Sequence, residues 1–215
     1  GARRLTPDAR RRLLGQTEVA LTSPPSAVSL KLKTTRGEIT LADRVYGPVL
    51  DALATRARWS LDDLAQALAP QGVGFDDVLQ AVIVLCGSNH AHPALSATEQ
   101  LKAGAACRAL NERLLELAHG SADIAHLVSP VTGAGAAVGR MQQLFIAAHR
   151  SGLKSAAEQA GYAWKALQSV KQRLVVEGKT LQSEAENLAE LERMATATHD
   201  GPWGLWQRLG LVDIQ

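Results

Sequence analysis

The chain has 215 residues with a formal net charge of +2, and it is 46% apolar and 20% charged. That balance excludes wholesale disorder and a collagen-like fibre. Two cysteines, Cys86 and Cys107, exclude a disulfide scaffold, and no apolar run reaches the roughly 18 residues of a membrane-spanning helix. The arginines at positions 3, 4, 10, 11 and 12 have no apolar block behind them, so no signal peptide is read and a cytoplasmic location is expected. Gly1 stands where an initiator Met would be, which predicts a chain cut from something longer.

Charge is uneven. Residues 1–60 hold eleven Lys/Arg against five Asp/Glu, a local excess of +6. Residues 61–150 hold five against eight, and residues 151–215 seven against eight.

In chain order, Pro7 and Asp8 suit the first turn of a short helix that Gly15 closes. Val19 and Leu21 alternate. After Pro24-Pro25, Val28, Leu30 and Leu32 alternate with Ser29, Lys31 and Lys33, the period of a half-buried strand. Arg36-Gly37 turns that strand into Ile39 and Leu41, a β-hairpin. Pro48 predicts a first helical turn, with Val49, Leu50, Leu53 and Ala54 as the apolar face. Ser60 is an N-cap, followed by Asp62-Asp63 and a buried face of Leu61, Leu64, Ala65 and Leu68. Phe75, Val78, Leu79, Val82, Ile83 and Leu85 make a third helix that Gly87 ends. A short strand near residues 90–95 follows, an order compatible with a winged-helix-like unit.

Residues 98–118 read as a helix capped by Thr98. Residues 131–139 read as a flexible connection or the tip of a small hairpin. Met141, Leu144, Phe145 and Ile146 make a further apolar cluster. Residues 156–176 read as one helix broken by Gly178, and residues 181–194 as another with Leu181, Ala185, Leu188, Leu191 and Ala195 on one face. An apolar tail runs from Trp203 to Val212. No internal repeat is evident.

Motifs for chemistry are sparse. Gly133 and Gly135 start a dinucleotide loop, but its third glycine position holds Val138, and no lysine and hydroxyl follow as in a Walker loop. Cys86, His90 and His92 lack zinc-type spacing to His119, His126 or Cys107. Ser88, Asp76, Asp77 and His90 lack a nucleophile elbow. Asp62-Asp63 and Asp76-Asp77 fit helix-start electrostatics, and His149 and His199 sit near helix ends. Lys31, Lys33 and Arg36 could meet phosphates. The 75–86 helix carries no Lys or Arg for base readout, so nucleic acid is disfavoured. Trp203, Trp206 and Leu209, with Leu205, offer an apolar contact segment, which either folds over its own last helix or docks on a neighbour.

Four stretches resemble a known family. They are Arg12-Leu13-Leu14 with Thr17; Leu30 through Leu41; Tyr46-Gly47-Pro48-Val49-Leu50-Asp51-Ala52-Leu53 followed by Trp59-Ser60-Leu61-Asp62-Asp63-Leu64; and Asn111 followed by Leu127-Val128-Ser129-Pro130-Val131-Thr132-Gly133. Their order through residues 10–145 resembles the predicted methyltransferase regulatory domain, with its C-terminal extension. That region lies downstream of the catalytic domain in bacterial class I methyltransferases, protein-lysine methyltransferases among them. The resemblance implies a parent that uses S-adenosylmethionine, bound in an upstream domain absent here. It also implies a regulatory or substrate-positioning role. The donor motif of that family matches nothing in the 215 residues.

The expectation is therefore an α+β, mainly helical chain: an N-terminal helix and β-hairpin (1–45), a winged-helix-like regulatory domain (46–145) and a C-terminal helical extension (146–215). No catalytic, cofactor-binding or metal-ligating residue is assigned. Lys31, Lys33, Arg36, Trp203, Trp206 and Leu209 form the candidate interaction surface. Expected partners are the upstream catalytic domain, a protein substrate or a second copy, with no membrane. The alternative is a stand-alone protein-interaction or nucleic-acid-binding module.

Overall fold

A computed structural model describes residues 5–34 and 37–212. It is a mixed α+β architecture, mainly helical, with small antiparallel strand pairings. By contact the chain divides into two units, Gly1–Gln100 with Val131–Gly133, and Leu101–Pro130 with Ala134–Gln215.

The first unit opens with α1 (Pro7–Gln16), whose N-cap Thr6 accepts from Ala9 N at 3.2 Å. Strand β1 (Glu18–Leu21) follows, then the hairpin β2 (Lys31–Thr34) and β3 (Gly37–Thr40). Helix α2 spans Asp43–Leu53. It starts a full turn before the expected Pro48, which lies inside it. Pro48 forfeits one backbone hydrogen bond, but Val45, Tyr46, Val49, Leu50 and Leu53 bury one continuous face, so packing carries the helix across the proline.

Strand β4 (Trp59–Ser60) leads directly into α3 (Leu61–Leu68), where the Ser60 hydroxyl accepts from Asp63 N at 3.0 Å as its sequence position dictates. Helix α4 (Phe75–Gly87) starts where the Asp77 carboxylate returns to Gly74 N at 3.2 Å. Just past its end Asn89 takes a left-handed φ of 61°, and Asn89 N bonds Cys86 O while His90 N bonds Leu85 O. Strand β5 (Ala91–Pro93) completes a three-stranded antiparallel sheet in the order β4-β1-β5. Val19 faces both Trp59 and Pro93, and Ala20 faces His92. Arg11 clamps α1 onto this unit: its guanidinium lies 2.6 Å from the Asp62 carboxylate and 3.2 Å over the Phe75 ring centroid.

Helix α5 (Ala97–Leu117) contains the division at residue 100. In the second unit, β6 (His126–Val128) and β7 (Gly135–Ala137) form a hairpin, so the 133–139 stretch is structured at its end. Helix α6 spans Arg140–Arg150. Helix α7 is Ala156–Ser169, shorter than the expected 156–176: Lys171 takes a left-handed φ of 55°, and residues 175–180 turn instead through β8 (Val175–Val176) and β9 (Lys179–Thr180). Helix α8 spans Glu184–Asp200 and α9 spans Trp203–Arg208. Leu144, Phe145, Ala163, Leu167, Leu191 and Ala195 form the core among α6, α7 and α8.

One local device recurs. Helices α5, α6, α7 and α8 start at Ser96, Gly139, Ser155 and Ser183, each followed three residues on by Glu99, Gln142, Glu158 or Glu186 folded back on the cap. The cap of α5 is therefore Ser96 rather than Thr98. The next residue is in each case an amide: Gln100, Gln143, Gln159 and Asn187. Each donates to a carbonyl preceding its helix, at Leu95, Val138, Leu153 and Leu181. Gln143, Gln159 and Asn187 are wholly buried. Capping bonds from Ser155 and Ser183 hold the Glu158 and Glu186 carboxyls below their ordinary range. Five residues with one variable cap are too short to register as a sequence repeat.

Helix α9 ends in a left-handed turn at Gly210, φ 70°, where Gly210 N bonds Gln207 O and Leu211 N bonds Trp206 O. A side chain at Gly210 would also meet Pro130 Cγ at 2.7 Å. Gly210→Ala is expected to cost about 2 kcal/mol by combined backbone strain and overpacking. A urea midpoint within error of the parent protein's would refute this.

Candidate functional site

Among the residues singled out for contact, Lys31 is exposed on β2 opposite Thr40. Lys33 sits on the same strand opposite Glu38, and Arg36 lies outside the described residues. The tail behaves differently from a contact patch. Trp203, Trp206 and Leu209 are only 6%, 4% and 1% exposed. The tail folds against its own unit: the Trp203 ring lies 4.9 Å from His149 and 4.1 Å from His199, and Ser129 Oγ donates to Leu209 O at 2.7 Å. Buried in this way, the three side chains present little surface to a partner.

His149 is buried and His199 half-buried, both against the Trp203 ring. Burial pushes the His199 imidazole below its ordinary pKa, with Asp200 opposing, and its Nε2 lies 2.9 Å from Gln159 Oε1. No group of three or more His, Cys, Asp or Glu among the described residues is placed to hold a metal ion. No single described helix is long and apolar enough to cross a membrane. On α4 the outward positions include Asp76, Gln80 and Ile83, the last 61% exposed, so this helix shows solvent an acidic and apolar face. The residues that carried the resemblance do structural work here. Asn111 pairs its amide with both the carbonyl and the N–H of Val128, at 2.8 and 2.7 Å. Trp59 Nε1 donates to Ala52 O at 2.9 Å.

A polar site lies in the second unit. It is a cleft of about 200 Å³ whose polar lining is Glu112, Glu116, His119, Arg150, Ser151 and Tyr162, over a floor of Leu115 and Ala147. Helix α5 supplies the two glutamates one turn apart, with His119 just past its end. Helix α6 brings Arg150 on its last residue and Ser151 at its cap, and α7 brings Tyr162. The Tyr162 hydroxyl lies 2.9 Å from His119 Nε2, with the two rings edge to face. Burial pushes the Tyr162 phenol above its ordinary pKa, opposed by a hydrogen bond with Ser151. The phenol is therefore neutral at physiological pH. Glu116 pairs with Arg113 at 2.8 Å on an exposed face. The site can hold a polar ligand by charge and hydrogen bonding.

Sequence reading missed this cleft because 43 positions separate His119 from Tyr162 and no spacing rule joins them. A second cleft, of about 340 Å³ in the first unit, is lined by Ile39, Arg44, Tyr46, Asp77 and Gln80 among others.

The chain is similar to the uncharacterized protein sll1526 of Synechocystis sp., with 30% identity over 209 residues. The match covers 96% of this chain and 40% of that protein, so the chain spans two fifths of its relative's length. No family model matches the chain. No solved structure matches it.

Proposed function

We propose that this chain is a non-catalytic region, regulatory or substrate-positioning, of a larger S-adenosylmethionine-dependent methyltransferase whose donor site lies in another part of the protein. One observation carries the reading furthest: nearly the whole chain aligns to less than half of a longer relative, as a module of a larger protein does. The ordered resemblance through residues 10–145 supplies the methyltransferase context. The strand pairings among the described residues are all antiparallel, whereas a class I donor pocket needs the crevice of an open, mostly parallel sheet.

Within this reading the middle of the chain is winged-helix-like. The order α2-β4-α3-α4-β5 supports it, with β1 taking the central strand position from upstream. The partners would be the catalytic domain and either a protein substrate or a second copy, in the cytoplasm. The acidic and apolar outer face of α4 disfavours a nucleic-acid role.

The test is calorimetric. S-adenosylmethionine titrated into the 215-residue chain is expected to give no saturable heat. The full-length Synechocystis relative should bind the donor, while its matched two fifths should not. Saturable micromolar binding by this chain, or none by the full-length relative, would each overturn the assignment.

A further inference from the structure

The cleft in the second unit is charged in a particular way. Glu112 projects from α5 and forms no ion pair among the described residues. Its neighbour Glu116 is already engaged by Arg113. Arg150 lines the same cleft from α6, with its Nε buried and without a hydrogen-bond partner. Its Nη2 makes a long 3.3 Å contact to Leu211 O. Glu112 and Arg150 thus share a cleft yet do not pair with each other.

Opposite charges that line one cleft without pairing discriminate between ligand classes. A simple anion would suit Arg150 but meet two carboxylates. A simple cation would suit Glu112 and Glu116 but meet a guanidinium. A molecule carrying both charges a few bonds apart satisfies both at once. The Tyr162 and Ser151 hydroxyls line the same cleft, already hydrogen-bonded to His119 and to Ala147 O. At about 200 Å³ the space lies below the roughly 300–1,000 Å³ typical of drug-sized ligands. The Leu115 and Ala147 floor can cover a short apolar side chain.

We propose that this cleft is a binding site for a small zwitterion of free amino-acid size, with its ammonium toward Glu112 and its carboxylate toward Arg150. The inference stands on the cleft alone and does not rest on the methyltransferase reading. Glu112 is exposed, so its attraction is screened and the affinity is modest, on the order of 0.1–1 mM.

The experiment is a chemical-shift titration of the whole chain with the twenty free L-amino acids. Their amides, which lack the carboxylate, and their N-acetyl forms, which lack the ammonium, are run in parallel. At least one free amino acid should shift the amides around Leu115, His119 and Ser151 saturably, with both singly charged analogues at least tenfold weaker. Glu112→Gln, on an exposed helix position, should weaken the free amino acid about tenfold and leave its N-acetyl form unchanged. Arg150→Gln should weaken the free amino acid and leave its amide unchanged. Two outcomes overturn the proposal: no saturable shift up to about 10 mM, or amides and N-acetyl forms binding as well as the parent amino acids.

Discussion

Replacing Trp203 by alanine is expected to destabilise the second unit by about 3–5 kcal/mol, the cost of truncating a large buried aromatic that cannot be refilled. The indole is 6% exposed and stands between two imidazoles, with the Trp206 ring 6.5 Å away. It sits on a six-residue helix that could not persist alone. Losing this anchor should therefore release Leu205, Leu209 and Leu211 together, all buried at present. Trp203→Phe keeps part of the ring contact and should cost less than half as much. Urea unfolding followed by circular dichroism measures both. A Trp203→Ala loss below about 1 kcal/mol would mean that the tail is not packed in solution.

The same substitution has a readable electrostatic consequence. Burial depresses the His199 pKa in the folded protein, against about 6.5 when unfolded. The unfolded state then binds the extra proton first. His199 therefore contributes stability above the unfolded value, and that contribution is lost as pH falls through the folded one. Removing the Trp203 ring opens His199 to water, so its titration should move back up toward the ordinary imidazole value. A His199 titration in Trp203→Ala identical to that of the parent protein would separate the imidazole from the indole's burial.

How far the sequence reached depends on the range of the interaction involved. Ser60 with Asp62-Asp63 announced α3, and alternation at Leu30 through Leu41 announced the β2–β3 hairpin, because caps and turns act within a few residues. The helix across Pro48 was not legible, because its stability comes from a face buried against other elements. Residues 170–176 read as helix because Val175 and Val176 continue an apolar period. The left-handed Lys171 that stops α7 carries no glycine to mark it. The buried tail was one of two outcomes open from composition alone. Tryptophan-rich segments serve interfaces and interiors equally well, and the two histidines that flank Trp203 come from separate helices. The polar cleft was least legible. Its residues gather from the C-terminal parts of α5 and α6 and the middle of α7, and what makes it a site is the absence of a pair between Glu112 and Arg150, a matter of tertiary placement.

Placing a proline at Ala20 should abolish the cooperative folding of the first unit. Strand β1 is central: β4 and β5 pair on its two sides, and Val19, Ala20 and Leu21 are at most 2% exposed. In a central antiparallel strand each N–H is used on one side or the other, so proline removes a ladder bond and inserts a ring where there is no room. The loss should be about 3 kcal/mol or more. It spreads, because β4 has two residues and β5 three, and neither has another partner in its sheet. Around β1 the edge is also tied by Leu61 N to Thr17 O, Ala94 N to Glu18 O and Thr22 N to His90 O, at 3.1, 2.8 and 2.9 Å. Arg58 adds an ion pair to Glu18 at 2.9 Å. Deleting residues 1–22 should have the same effect through loss of both ladders and of the Arg11 clamp on Asp62 and Phe75. Amide spectra distinguish the outcomes. Resonances of residues 43–95 should collapse to narrow dispersion in both variants, while those of α6, α7 and α8 stay in place. If the Ala20→Pro spectrum kept native dispersion over 43–95, β1 would be an accessory edge and the sheet order β4-β1-β5 would not describe the protein in solution.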